Sequence, residues 1–405
     1  MKKHLVAILF ASAALVPLVS ADTLMLSFYR HSTNNLFQNS LAEAEQISAL
    51  QASWEKSLSP FSLFVDGGYS FLRRNPGLSY GSLIGGADYL LSMNEKTAFY
   101  LSLAGGGVLF RSGYSDFNYS DLRLSAAVKS YLRPTSIIKA DAISEYRKYK
   151  VSLFDFVSQS LHVSLDKFFE SKTTFKADMN WGYKYFLHPI DVQAPSSGMS
   201  GSDSGMGGGM MSGTQPGTGM GTGPGMGSSM GHGIYFMPGT AQGGRGIQII
   251  SASGLIAQGL GDNLGIRVTG ARQWTLSGEN PFTSIAEFYG VENPTYDLFS
   301  WNGTILNGQV TAELPWNIGM KIGYTLSDKE FPGIESLGST GTAAGMTRKD
   351  KRRQLELRLE KNFSKVSLFL LYSTIDNRSN DAFFAWKGYS ISGGLEWNLA
   401  FGKSR

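Results

Sequence analysis

The sequence predicts an all-β protein, a transmembrane antiparallel up-and-down β-barrel of about sixteen strands. Three observations lead there. Only 17% of the 405 residues are charged, against roughly 25% in soluble domains, while aromatics reach 12% and mean hydropathy is only -0.11. Past residue 21, no run approaches the roughly 18 apolar residues that a membrane helix requires. Yet segment after segment alternates apolar and polar side chains over nine or more residues, well beyond the 5 to 6 residues of an average soluble strand. A wall with one face in hydrocarbon and the other in water has this composition and this period.

The amino terminus reads as an export signal. Lys2, Lys3 and His4 form a basic start, Leu5 to Val19 an apolar stretch, and Val19-Ser20-Ala21 a small-residue cleavage pattern. Cleavage after Ala21 is expected, so that 1–21 is a signal peptide and 22–405 a single barrel domain. An uncleaved anchor is the competing reading, but about fifteen apolar residues are short for a spanning helix. With no cysteine, disulfide frameworks, thiolate metal sites and a lipidated cysteine are excluded. The net charge of +4 is well mixed in sign, and no basic stripe suits nucleic acid.

The strands follow in order. Leu24 to Arg30 reads as the first, and 42–57 as the second, although AEAEQISALQASWEKSL also suits a helix. Leu122, Leu124, Ala126, Val128 and Leu132 oppose Asp121, Arg123, Ser125 and Lys129. Phe175, Ala177, Met179, Trp181, Tyr183 and Tyr185 oppose Lys176, Asp178, Asn180 and Lys184. Leu306, Val310, Ala312 and Leu314 alternate with Asn307, Gln309, Thr311 and Glu313, and Ile318 to Leu326 alternate with Gly319, Lys321, Gly323 and Thr325. Leu355, Leu357 and Leu359 share a face opposite Gln354, Glu356, Arg358 and Glu360. The run Val366, Leu368, Leu370, Tyr372 follows.

Short turns are expected at Ser57 to Pro60, Met93 to Lys96, Arg133 to Ser136, Glu170 to Lys172, Gly261 to Asn263, Pro315 to Asn317 and Asn362 to Lys365. Longer polar connections alternate with them at 31–41, 73–79, 111–118, 147–153, 188–244, 277–302, 328–349 and 376–385. Seven turns and eight loops give sixteen strands, the short-turn, long-loop alternation of bacterial barrels.

One of these loops, 190–244, is low in complexity and rich in Gly and Met, and disorder is expected because little there repays the entropy of ordering. Met206, Met210, Met211, Met220, Met226 and Met230, with His232, could hold Cu(I) through soft thioether sulfur; a plain spacer is the other reading.

The chain closes with GYSISGGLEWNLAFGKSR, in which Tyr389, Ile391, Gly393, Leu395, Trp397, Leu399 and Phe401 share one face. This segment resembles the carboxyl-terminal signal of bacterial outer-membrane β-barrels of the porin-like superfamily, with the departure that Gly402-Lys403-Ser404-Arg405 follows the aromatic residue. The resemblance covers 22–401, points to no subfamily, and implies recognition of Tyr389, Ile391, Leu395, Trp397, Leu399 and Phe401 by the barrel-assembly machinery. It also implies residence in the bacterial outer membrane among its lipid and lipopolysaccharide.

Parity marks lumen-facing residues: Asp66, Asp88, Arg123, Lys129, Asp141, Arg147, His162, Asp166, Lys176, Asp178, Arg267, Lys321, Glu356, Arg358 and Glu396, together with Lys139, Glu145, Lys184 and Glu313. They suit a charged filter or a salt-bridged wall. His31, His188 and His232 fall in outer loops, and His162 reads as a wall residue rather than a base for Ser158 or Ser160. No catalytic motif occurs and no cofactor is implied. The expectation is passive diffusion of small polar solutes through a sixteen-stranded channel. The alternatives are a non-conducting surface barrel with its loops as a binding platform, and copper handling by the Met-rich loop. Homo-oligomerisation fits the superfamily, although no interface pattern is visible.

Overall fold

A computed structural model describes residues 23–36, 38, 40, 42–188, 246–279, 297–339 and 343–400. The expected signal peptide, the Gly/Met stretch with its Met and His232 candidates, and Phe401 lie outside the described residues. Sixteen strands follow in order: β1 (Thr23–Thr33), β2 (Glu45–Leu58), β3 (Phe61–Leu72), β4 (Tyr80–Ser92), β5 (Thr97–Phe110), β6 (Tyr119–Arg133), β7 (Ser136–Tyr149) and β8 (Phe156–Phe168). Then come β9 (Thr173–Phe186), β10 (Gly246–Leu260), β11 (Leu264–Ser277), β12 (Asn302–Leu314), β13 (Ile318–Leu337), β14 (Ala343–Asn362), β15 (Val366–Ser379) and β16 (Trp386–Ala400). Each pairs antiparallel with its neighbours in the chain, and β1 pairs with β16 to close the barrel.

All seven expected turns join hairpins at one end, here the turn end. Some need left-handed backbone: Gly261 has φ +74°, and Trp316 and Asn317 have φ 63° and 57°, the paired positive values that match strand twist in a tight hairpin. The ambiguous segment 42–57 is strand, because both of its edges are hydrogen-bonded, to β1 and to β3. Ladder bonds and a lipid-facing Leu50 and Trp54 override its helical propensity.

One face of the wall is apolar all the way round. On β14 and β15 it carries Leu355, Leu357, Leu359, Leu368, Leu370 and Tyr372; on β6 it carries Leu122, Leu124 and Val128. Most of these side chains are exposed. Aromatic residues edge this belt. Phe61, Phe175, Trp316 and Phe363 lie at or beside the turn end, and Phe71, Tyr146, Trp274, Tyr324, Tyr372 and Tyr389 lie toward the loop end. Two such girdles are the interface anchors of a membrane barrel.

The other face lines the interior, as the loop end shows. There Ile47, Leu72, Val108, Phe110, Tyr149, Phe156, Phe186, Ile247 and Ile249 form one buried cluster with Leu36, Leu78, Tyr114, Phe117 and Phe154 from the connections. Side chains from β2 to β10 can meet in one cluster only across the inside of the ring. The connections at 73–79, 111–118 and 150–155 contain 3-10 turns at Pro76–Leu78, Ser112–Phe117 and Ser152–Phe154. They are therefore not merely polar spacers. Each drops apolar side chains into the mouth of the barrel.

Two further expectations are corrected. The connection at 328–349 is largely strand, since β13 and β14 each run for 20 residues. Beyond the apolar belt the outer face of this hairpin is polar while its inner face mixes Phe331 with Lys329, Arg348 and Asp350, so the alternation that betrays a strand is missing. His31 is not in a loop: it lies on β1, facing inward and buried, with Nδ1 2.8 Å from the Ser392 hydroxyl on β16.

Candidate functional site

The ladders place all fifteen expected pore residues on the inner face. Parity carries through each pair: Asp66 lies opposite Ser53, Asp88 opposite Ser62, Arg123 opposite Glu145, and Asp141 opposite His162. Likewise His162 lies opposite Asn180, Lys176 opposite Asp166, and Lys321 opposite Arg358. Arg147, Asp178 and Glu356 belong to the same rows, as do Lys129 opposite Lys139, Arg267 opposite Gln309, and Glu396 opposite Ser367.

On β6 to β10 these groups form a bonded wall. Glu145 holds Arg147 at 2.8 Å and Arg123 at 3.4 Å, and the Arg147 guanidinium stacks 4.4 Å from the Tyr119 ring centre. Lys139 and Asp166 pair at 2.6 Å. His162 sits between two carboxylates, with Nδ1 2.8 Å from Asp141 and Nε2 3.0 Å from Asp178. Asp178 also takes Lys176 at 2.7 Å and accepts from the Ser253 hydroxyl at 3.1 Å. Both imidazole nitrogens are thus occupied by carboxylates rather than by Ser158 or Ser160.

Elsewhere the wall is looser. Among the described residues, no ion pair engages Asp66, Asp88, Glu356, Glu396, Lys129, Arg267 or Lys321. Arg267 donates to Gln309 at 2.7 Å, and Arg358 pairs with Glu360 at 3.1 Å and lies 5.1 Å from the Phe369 ring centre. In a ring of sixteen, β3 stands across from β11, so Asp66 faces the side of the lumen that bears Arg267. Lys129, Arg267 and Lys321 are solvent-exposed, and Arg358 is 38% exposed in its side chain. Water therefore reaches the inner wall over the turn half of the barrel.

The loop half is narrower. Around a 3-10 turn at Leu298–Ser300, the end of the 278–301 connection folds inward. Phe299 presses on Gly182 of β9, where any Cβ would lie 2.9 Å from its ring. Gln273 donates to the Leu298 and Trp301 carbonyl oxygens at 2.7 and 2.6 Å. Asp297 pairs with Lys184 at 3.1 Å, their side chains only 7% and 4% exposed, and Lys184 lies 4.3 Å from the Phe156 ring centre. Burial alone would raise the Asp297 carboxyl. The Lys184 ammonium, the Phe299 N–H and the Ser300 hydroxyl outweigh it and hold that carboxyl below the usual range. The 297–301 end of this connection is thus packed into the barrel mouth.

Next to it, a cavity of about 150 Å³ is lined by Lys329, Asp350, Arg352, Gln354 and Asn377 with Ile305, Thr325 and Ser327. Behind it Arg348 is fully buried, paired with Asp350 at 2.5 Å and stacked between Phe331 and Phe384. Parity on the hairpin would have found these residues had its strands been visible in the sequence. Glu55 on β2 shares the inner rows and escaped notice for a simpler reason, since it fell in the ambiguous segment.

On β16, Tyr389, Ile391, Leu395, Trp397 and Leu399 share the lipid-facing side, with Leu395 against Phe28 and Trp397 against Leu26 of β1. Among the described residues no cluster of three His, Cys, Asp or Glu is placed to hold a metal ion.

No protein-family model matches the sequence, and no curated protein does. Solved structures match in shape. A bacterial polysaccharide outer membrane secretin superposes with a TM-score of 0.50 at 7% identity, covering 94% of this chain and 99% of the other. CdiB from Acinetobacter baumannii gives 0.51 at 8% identity, over 93% of this chain and 60% of its own. OccK1 (OpdK) from Pseudomonas aeruginosa gives 0.47 at 10% identity, over 93% and 98%. At such identities the secretin and CdiB show the fold alone, and with its apolar belt and aromatic girdles that fold is a sixteen-stranded transmembrane β-barrel.

Proposed function

We propose that the protein is a channel of the bacterial outer membrane through which small polar solutes diffuse passively. The observation that carries this reading is the water-reached, charged inner face of the turn half, with Asp66 and Asp88 on one side and Arg267, Lys321 and Arg358 on the other. Charges of opposite sign on facing walls set a field across the lumen and sort solutes by charge and size. The folded-in segment 297–301 and the cavity beside it narrow the path. Short turns face the periplasm and long connections the outside. The wall contacts lipid and lipopolysaccharide, and β16 is the strand that the assembly machinery engages. Homo-oligomerisation belongs to the same reading.

Planar-bilayer recording of the refolded full-length chain tests it. Steady unitary currents that block with small charged solutes are expected. One observation favours a second reading, a non-conducting barrel whose loops form a platform: the apolar cluster that fills the loop end on the β2 to β10 side. Heat-modifiable, correctly folded protein that gives no steady current would replace the first reading with the second.

A further inference from the structure

On β13 to β16 the lipid-facing row does not end at its aromatic girdle. Past Tyr324, Tyr372 and Tyr389 it runs into five cations: Lys349, Lys351 and Arg353 on β14, Arg378 on β15 and Lys387 on β16. Their parity is that of Leu355, Tyr372 and Tyr389, so they project outward from the wall and not into the lumen.

Lys351 and Arg378 are direct partners across the β14–β15 ladder, an arrangement that like charges make unfavourable. Three carboxylates are close by. Asp328 lies 3.9 Å from Lys351, Glu330 3.3 Å from Lys349, and Asp376 is shared between Arg378 at 3.7 Å and Lys387 at 3.6 Å. Asp376 is also the ladder partner of Arg353. Five cations thus share three carboxylates, at long distances and with 57% to 77% of the Lys and Arg side chains in these four pairs exposed. Such pairs contribute little to holding the fold, and an excess of positive charge stays on the wall.

The position of that excess is specific. It begins two residues beyond the girdle that marks the edge of the hydrocarbon, at Arg353 and Lys387, extends to Lys349 and Arg378 six residues beyond it, and is continuous with Leu355, Leu370 and Ile391 below. The extended β13–β14 hairpin is what carries the wall to this height. We propose that this face binds the phosphate groups of a phosphorylated glycolipid in the leaflet at the loop end, with its acyl chains on the apolar belt. Arg and Lys are the residues suited to phosphate oxygens, and the apolar surface directly beneath selects a lipid over a free anion. The site depends on the barrel spanning a membrane and not on conduction through it.

The test compares full-length wild type, K351Q/R378Q and a control, K148Q, which removes an outward-facing cation on β7. Each is refolded, checked by its heat-modifiable gel shift, and titrated by native mass spectrometry with diphosphoryl lipid A, fully dephosphorylated lipid A and inorganic phosphate. At about fivefold per cation near a headgroup layer, the double variant is expected to bind diphosphoryl lipid A roughly thirtyfold more weakly, and the control as tightly as wild type. Should K351Q/R378Q fail to fold, K349Q/K387Q takes its place with the same expectation. Equal affinity of wild type and double variant overturns the proposal. So does equal affinity for the dephosphorylated lipid, and so does displacement of the lipid by millimolar inorganic phosphate, which marks a free-anion site.

Discussion

The buried pair Lys184–Asp297 fixes a connection inside the barrel mouth, and its removal has a calculable effect. Both side chains are nearly without solvent, and the ammonium also lies against the Phe156 and Phe186 rings at 4.3 and 5.2 Å. Asp297→Asn keeps the shape and an acceptor for the Phe299 N–H but leaves the Lys184 charge uncompensated. Stranding one partner of a buried pair costs about 3–5 kcal/mol. The docked segment is otherwise held by the two Gln273 hydrogen bonds, about 1 kcal/mol each, and by Phe299 against Gly182. A loss of about 3 kcal/mol changes the docked fraction by more than roughly a hundredfold, enough to release it. The chain has no cysteine, so Leu298→Cys gives a single spin-labelling site on this turn. Its spectrum should be immobilised in the parent, mobile in Asp297→Asn and in Lys184→Met, and largely immobilised again in Lys184→Met/Asp297→Leu, because an apolar pair of similar volume replaces a buried ion pair at little cost. Immobilised spectra in both single variants would refute the latch.

The same pair sets a pH dependence. The Asp297 carboxyl is held below its ordinary value, so its contribution is complete above the unfolded value near roughly 4 and fades only as pH falls through the lower folded value. The label at residue 298 should therefore stay immobilised from about pH 5 upward and loosen only in stronger acid, as checked by a pH series of spectra. Arg358→Glu reverses a water-reached charge on the inner wall, and the reversal potential of the channel in a salt gradient should move toward cation selectivity. Leu124→Arg places a charge on the lipid face at a cost of about 2–4 kcal/mol near the midplane, so its folded fraction on gels should fall well below that of Ser125→Arg on the lumen side. Gly86→Val should also fold poorly in the same gel assay, because a Cβ there would stand 2.5 Å from the Leu103 carbonyl oxygen and 2.6 Å from the Phe64 ring.

Which parts of this molecule the sequence reveals follows from where alternation is enforced. Hydrocarbon on one side forbids charge on every second residue, so Leu355 to Leu359 and Ile318 to Leu326 declare both strand and facing, and the inner row of Glu356, Arg358 and Lys321 follows by parity. The turns are equally plain, since Gly261 to Asn263 and Pro315 to Asn317 interrupt two such runs where left-handed backbone is needed. Beyond the belt the constraint lapses. Asp328, Lys329 and Glu330 alternate between lumen and headgroup layer, both polar, and so read as loop although they are strand. The inward packing of Leu78, Tyr114, Phe117 and Phe154 leaves no local period at all, because contacts between separate connections carry no spacing along the chain. The meeting of Lys184 with Asp297, separated by 113 positions, is hidden for the same reason.

From Thr23 opposite Ala400 to Thr33 opposite Ser390, the first strand is zipped to the last along its whole length. Until β16 is in place, β1 and β15 each offer a row of bare amide and carbonyl groups, which oil cannot solvate and which invite pairing with foreign strands. The ring thus has no stable arc: insertion and completion must coincide, and any protein that supplies a temporary edge to β1 or β16 holds the timing of both.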